Sequence, residues 1–216
     1  MRTKATLLIC AIFITGCLSI FTSCKREVPK VLLFIEDNSA DLGYMLTHEV
    51  GKMSELLKQS GFEVTIATIT GEVLKADSIT VTPNIKLSEV KINEYSGFIM
   101  PCMAPNDTIV TLGEINFVRK AVNGSKPVAA QIGAVLILAK AGVLNGKKFA
   151  FPKNDIDNPD MYPELKSGIY SGSGVVQDGN IITSGICPMM AKVTGAQDGT
   201  IELTQKLIQE IKTRTK

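Results

Sequence analysis

The feature that most constrains this chain is the uninterrupted stretch from Lys126 to Gly142, reading KPVAAQIGAVLILAKAG. Pro127-Val128-Ala129-Ala130 is a short apolar run suited to a strand buried on both faces. Ala134-Val135-Leu136-Ile137-Leu138-Ala139-Lys140-Ala141 then suits a buried helix, with Gly133 at the turn between them. A central strand that feeds directly into a buried helix belongs to an open α/β sheet. In such sheets the turn lies at the carboxyl edge, where ligands bind and nucleophiles are mounted. Here the turn is Gln131-Ile132-Gly133, and none of these side chains is a nucleophile or a base. The scaffold of a reactive elbow is present without its reactive group.

The flanking segments supply the partners that such a unit needs. Val31-Leu32-Leu33-Phe34-Ile35 reads as another strand covered on both faces. Glu36-Asp37-Asn38-Ser39 follows as a polar loop, with Asn38 or Ser39 placed to cap the next helix. From Ala40 to Gln59, Leu42, Met45, Leu46, Val50, Met53, Leu56 and Leu57 recur at three- and four-residue spacings, which predicts an amphipathic helix. Phe62 to Thr68 is the next strand, and strand, helix and strand in this order imply a right-handed parallel crossover. Ile79 to Thr82 and Ile85 to Leu87 alternate about Pro83-Asn84, as a short strand pair or an extended loop.

Further along, Phe98 to Met103 is a third buried strand, Gly113 to Val122 a helix with Ile115, Val118 and Val122 inward, and Lys147 to Phe151 a short strand. Pro152 to Gly174 is mostly loop, with a short helix near Met161 to Leu165. Val175 to Thr183 is a hairpin around Asp178-Gly179, Ser184 to Pro188 an edge loop, and Thr200 to Lys212 the closing helix. The expected fold is one α/β domain over residues 31–213, a three-layer α/β/α sandwich with a mostly parallel, flavodoxin-like sheet. A chain of 216 residues with 45% hydrophobic content can bury the core this requires.

Residues 1–24 read differently. Arg2 and Lys4 precede an almost wholly apolar run from Ala5 to Ile20, the pattern of a secretory signal. The alternative is a retained anchor helix, for which the run is short. Cys24, where Phe21-Thr22-Ser23-Cys24 meets Lys25-Arg26-Glu27, resembles the lipidated cysteine of a bacterial lipobox; Cys17 after Ile14-Thr15-Gly16 is the alternative. The expectation is an exported bacterial lipoprotein on the periplasmic or outer-surface side of a membrane, attached through a lipid anchor, with residues 25–30 as a linker.

Charge and cysteine usage narrow the function. The chain has 23 basic and 21 acidic residues, and the signal removes Arg2 and Lys4, so the domain is formally neutral. It lacks the basic stripe that nucleic acid requires. With Cys10, Cys17 and Cys24 in the signal, only Cys102 and Cys187 belong to the domain, too few for a disulfide scaffold. No metal-type Cys or His spacing and no cofactor motif is present, so neither metal nor cofactor is expected. His48 is the only histidine, which excludes histidine clusters.

The opening stretch resembles the ThiJ/PfpI family, within the class I glutamine-amidotransferase-like fold. That family carries Lys-Pro-Val-Ala-Ala-Ile-Cys-His-Gly-Pro before an apolar helix ending in Ala-Gly; this chain keeps Lys126 to Ala130 and the helix through Ala141-Gly142. Val31 to Ile35, Tyr95 to Pro101 and Val175 to Ser184 resemble the family's first strand, its Pro-Gly-Gly segment and its hairpin. The resemblance implies a dimer or larger homo-oligomer and a pocket lined by Pro101, Cys102, Met103, Gly185, Cys187 and Pro188. The departures bear on chemistry. The elbow cysteine falls on Ile132 and the adjacent histidine on Gly133, so the family's thiol chemistry does not carry over. The Gly-Gly pair falls on Cys102 and Met103. For the acidic residue of the first helix, Asp41 is the nearest carboxylate and Gly43 occupies one alignment of the position.

Three readings result. The first is a binding or interaction module without cysteine-dependent catalysis, with room for a small-molecule ligand. The second is a hydrolytic or aldehyde-directed enzyme using Cys102 as a relocated nucleophile and Asp41 or Glu36 as proton acceptor. The third is a redox-responsive protein using Cys102 and Cys187, for which a disulfide is conceivable because the resemblance puts both on one edge. Each residue also has a plain structural role open to it: gap-filling for Cys102, a solvated helix start for Glu36, Asp37 and Asp41, helix-surface packing for His48. The methionines, among them Met45, Met53, Met100, Met103, Met189 and Met190, read as core filler. Gly172-Ser173-Gly174 reads as a turn.

Overall fold

The computed structural model describes residues 28–76, 78–102, 110–157 and 160–214. The expected signal, with Cys17 and Cys24, and Met103 lie outside the described residues. Buried apolar runs become the strands of one seven-stranded sheet: β1 (Lys30–Ile35), β2 (Glu63–Thr68), β5 (Ile85–Lys86), β6 (Gly97–Met100), β7 (Val128–Gln131), β10 (Val175–Asp178) and β11 (Ile181–Ser184). Their order is β10-β11-β7-β6-β1-β2-β5. Every pairing is parallel except β10 with β11, whose Asp178↔Ile181 register closes the expected hairpin at Gly179.

Strand alternation sends side chains to two cores. Val31, Leu33 and Ile35 of β1 join Ile99, Ala129 and Ile182 on one face. There they meet the helical run from Leu42 to Gln59 and the last helix, α7 (Thr200–Arg214). Leu32, Phe34, Phe98, Met100, Val128 and Ala130 face the other way, against α3 (Leu112–Asn123) and α4 (Gly133–Lys140). This is the three-layer α/β/α sandwich with a mostly parallel, flavodoxin-like sheet. Thr111 and Glu114 cap α3 reciprocally, the Glu114 N–H reaching the threonine hydroxyl at 3.2 Å and Glu114 Oε2 accepting the Thr111 N–H at 2.7 Å.

Four local features differ from the sequence expectation. The helix from residue 40 to 59 is α1 (Leu42–Met45) and α2 (Gly51–Gln59), joined by a π-helical turn, Leu46–Val50. The segments around Pro83-Asn84 do not pair with each other. Instead β3 (Leu74–Ala76) pairs with β4 (Ile79–Val81), while β5 joins the edge of β2. Asn84 directs this: its N–H donates to the Ile66 carbonyl at 2.8 Å, and its Oδ1 accepts the Ile66 N–H at 2.7 Å. The strand expected over 147–151 is β8 (Lys148–Phe149), paired with β9 (Ile169–Tyr170) in a sheet of its own; nearby lie α5 (Lys153–Ile156) and a 3₁₀ turn, Pro163–Ser167. Finally, α6 (Pro188–Thr194) follows the edge loop.

Candidate functional site

The elbow keeps its shape. Ile132, between β7 and α4, adopts φ 38° and ψ −102°. A β-branched residue at positive φ is strained by roughly 1–3 kcal/mol, and surrounding contacts must hold it there. Ile132 N–H donates to the Ser184 carbonyl at 2.8 Å, and its own carbonyl accepts the Val135 N–H at 2.8 Å. Gln131, fully buried, donates from its amide to the Ile186 carbonyl at 2.8 Å and to the Thr200 hydroxyl at 3.2 Å. The elbow is thereby fastened to the edge loop and to the start of α7.

Thiols gather around this elbow although its tip carries none. Cys102 follows β6, close to Gly133, the first residue of α4, whose backbone N–H works to lower its pKa. Cys187 precedes α6, close to the backbone N–H groups of Met189 and Met190. Its loop is pressed close: a Cβ at Gly185 would lie 2.5 Å from the Phe151 carbonyl carbon, so the chain passes there only as glycine. The two cysteines are free thiols whose sulfurs lie within 4.8 Å of each other. The neighbouring Cys102 thiol, followed by the backbone N–H groups of Met190 and Met189, lowers the Cys187 thiol from 9.0 to about 7. The neighbouring Cys187 thiol, reinforced by burial, pushes Cys102 well above the ordinary thiol range. The pair gives up one proton readily and keeps the second.

The third member is Glu49, from the π-helical turn. It is only 2% exposed, and its Oε2 accepts the Cys102 N–H at 2.7 Å. Burial raises its pKa to about 9; the Cys102 N–H and Lys52 work against this, while Cys187 and Asp198 add to it. Glu49 therefore carries a proton at neutral pH. Ligand atoms of Glu49, Cys102 and Cys187 all lie within 4.8 Å of one another. Lys52, one turn on, pairs with Asp198 at 3.8 Å.

Glu49 escaped the sequence reading, yet it shares a helix face with Met45, Leu46, Val50 and Met53. A carboxylate inside an apolar stripe was the available signal. Asp41, the carboxylate singled out there, is exposed and does not cap the helix. His48 stacks on Tyr44 at 4.0 Å between ring centroids, with Nδ1 3.1 Å from the Tyr44 carbonyl.

Glu36 belongs to a different neighbourhood. It lies at the carboxyl end of β1 and lines a cavity of about 210 Å³ together with Gly133, Leu136, Ile137, Lys140 and Tyr162. Burial, then the nearby Glu114 and Asp37 charges, raise its carboxyl to about 7. Pro101, Cys102, Gly185, Cys187 and Pro188 do not line this cavity. Pro101, Gly185, Cys187 and Pro188 are buried, and Cys102 is partly exposed.

These features define a flavodoxin-like α/β protein with a strained elbow and a thiol pair at the carboxyl edge of its sheet. The chain belongs to the DJ-1/PfpI family, whose profile matches residues 29–193. It is 29% identical over 140 residues to protein dj-1beta of Drosophila melanogaster, covering 61% of this chain and 70% of that protein. It is 28% identical over 136 residues to a deglycase of Pyrococcus abyssi, covering 59% of this chain and 76% of that one. The crystal structure of Drosophila DJ-1beta superposes with a TM-score of 0.65 at 22% identity, over 86% of this chain and 91% of that one. A ThiJ/PfpI domain protein from Brachyspira murdochii gives 0.66 at 15% identity, over 85% and 96%.

Proposed function

We propose that this chain is an exported, lipid-anchored, homo-oligomeric thiol protein in which Cys102 and Cys187 cycle between dithiol and disulfide. The observation that carries this reading is the proximity of the two free thiols, whose sulfurs lie within 4.8 Å of each other at the carboxyl edge of the sheet. Cys187, the thiol that ionises first, is the attacking sulfur. With a hydroperoxide as oxidant, the Cys187 thiolate takes the terminal oxygen and the alkoxide leaves with a proton as an alcohol. Cys102 then attacks the resulting sulfenic acid, its thiol proton leaves with the hydroxyl as water, and the S–S bond forms. The protein loses two electrons and the hydroperoxide gains them. Cys102 as sole nucleophile fits less well, because its proton is held. Export and anchoring rest on the apolar run before Cys24, and the homo-oligomer on family resemblance. Among the described residues no helix is long and apolar enough to cross a membrane.

Reduced chain treated anaerobically with one equivalent of hydroperoxide should lose both alkylatable thiols and gain a Cys102–Cys187 cross-linked peptide. Two thiols still open to alkylation would end this reading. Cys24→Ala should release the protein from the membrane fraction, with Cys17→Ala as the parallel variant.

A second reading, the binding module without cysteine catalysis, is favoured by Ile132 at the elbow. If Ile132→Cys with Gly133→His creates turnover in a chain whose native thiols ignore oxidant, the scaffold is competent and the native site silent.

A further inference from the structure

We propose that Glu49, Cys102 and Cys187 form a binding site for a thiophilic closed-shell cation of the zinc(II) class. The three come from a helix, a strand end and a loop before a helix, and their ligand atoms already lie within 4.8 Å of one another. Tetrahedral zinc with two sulfur ligands needs a sulfur–sulfur separation of about 3.8 Å, from bonds near 2.3 Å, so closing the site takes a contraction of at most about an ångström. Two sulfurs and one carboxylate oxygen select against magnesium and calcium, which require sets of oxygen ligands. Three protein ligands leave the fourth position to water or a bound molecule, the pattern of an open zinc site.

The surroundings orient the ligands as a second shell does. The Cys102 N–H fixes Glu49 Oε2 at 2.7 Å, so one ligand residue holds the carboxylate of another in place. Glu49 and Cys187 are each only 2% exposed, so a cation here would interact with its ligands in a medium of low polarity. Thiolate and carboxylate ligands bind a dication in their deprotonated forms, so binding releases protons and uptake steepens as pH rises. The proposal uses the same thiols as the disulfide cycle but none of its chemistry, and one variant separates the two: Glu49→Gln keeps both sulfurs.

The test is an anaerobic titration of the reduced, metal-free full chain with cobalt(II), followed by displacement with zinc(II). A sulfur-to-cobalt charge-transfer band should saturate at one equivalent and vanish on adding zinc. Cys102→Ser and Cys187→Ser should each remove about half of that band and weaken binding on the order of 100-fold, and Glu49→Gln should weaken it roughly tenfold with the band retained. Absence of the band in the wild-type chain, or a band unchanged in either serine variant, overturns the site. Should Glu49→Gln still form the disulfide with hydroperoxide while the wild-type chain takes up no cobalt, only the metal proposal fails. Cobalt uptake by a chain that hydroperoxide cannot cross-link fails the disulfide proposal alone.

Discussion

Two buried glutamates flank the elbow, and they are held in opposite ways. Glu49, on the side of α1, α2 and α7, has a backbone donor on one oxygen and two thiols beside it, and keeps its proton up to about pH 9. Glu36, on the side of α3 and α4, faces the carboxylates of Glu114 and Asp37 and an accessible cavity, and titrates near 7. Both are displaced mainly by burial, so burial alone does not distinguish their roles. The neighbours do. Glu49 is a fixed member of a compact set, whereas Glu36 is a carboxyl whose charge changes across neutral pH at the wall of a cavity. Glu114 adds to the contrast, because its Oε1 is buried and finds no hydrogen-bond partner among the described residues.

The sharpest way to break this comparison is to remove one carboxyl. Glu49→Ala strips the Cys102 N–H of its acceptor and leaves a void, and should lower unfolding stability by about 3 kcal/mol in denaturant titration. An effect below 1 kcal/mol would mean that water replaces the side chain without loss. The pH dependence sharpens the same contrast. The Glu49 carboxyl ionises near 4.5 in the unfolded chain and near 9 in the folded one. Its contribution is therefore fully present below about 4.5 and lost as pH rises through 9, at up to about 1.4 kcal/mol per unit. Glu49→Gln, which can still accept the Cys102 N–H, should flatten thermal stability across that window, and an unchanged slope would place the titration elsewhere.

Glu36→Gln should act in the same direction over the narrower window from about 4.5 to 7. The two windows part above pH 7, where only the Glu49 variant should still differ from the wild type in the slope of stability against pH. The smallest effect concerns the thiols. Alkylation of Cys187 should show a midpoint near pH 7, and Cys102→Ala should move it toward 9.0 by removing the first cause of the shift. That slows labelling at neutral pH by roughly tenfold for each unit of the shift. A midpoint indifferent to Cys102 would leave the backbone donors of α6 as the whole cause.

What the sequence made legible was the part built from local, repetitive signals. The stretch from Val128 to Lys140 could be read outright, because a buried strand and a buried helix leave continuous apolar runs. The β10–β11 hairpin was equally plain from Asp178-Gly179. Where long-range contacts decide, reading failed. The two-residue β5 takes its place because Asn84 bonds to Ile66, eighteen positions away. Helix α6 is short, and only Pro188 within it is buried, so it leaves no apolar period to find. Glu49 looked like one more charged helix residue, since its acceptor role depends on an N–H fifty-three positions along the chain. Proximity of Cys102 and Cys187 could be anticipated only through family resemblance, and the carboxyl of Glu49 beside them not at all.

Gln131 has a consequence for the order in which the molecule comes together. Its amide ties the elbow to the Ile186 carbonyl and to Thr200, where the last helix begins. The loop that carries Cys187 is thus tied to a segment that a ribosome delivers after it. A growing chain carries Cys102 and the elbow before it has residue 200, so this contact of Gln131 can form only once that residue has emerged. Helix α7 is in this sense a late fastening of the elbow, made after the strand and turn that it secures.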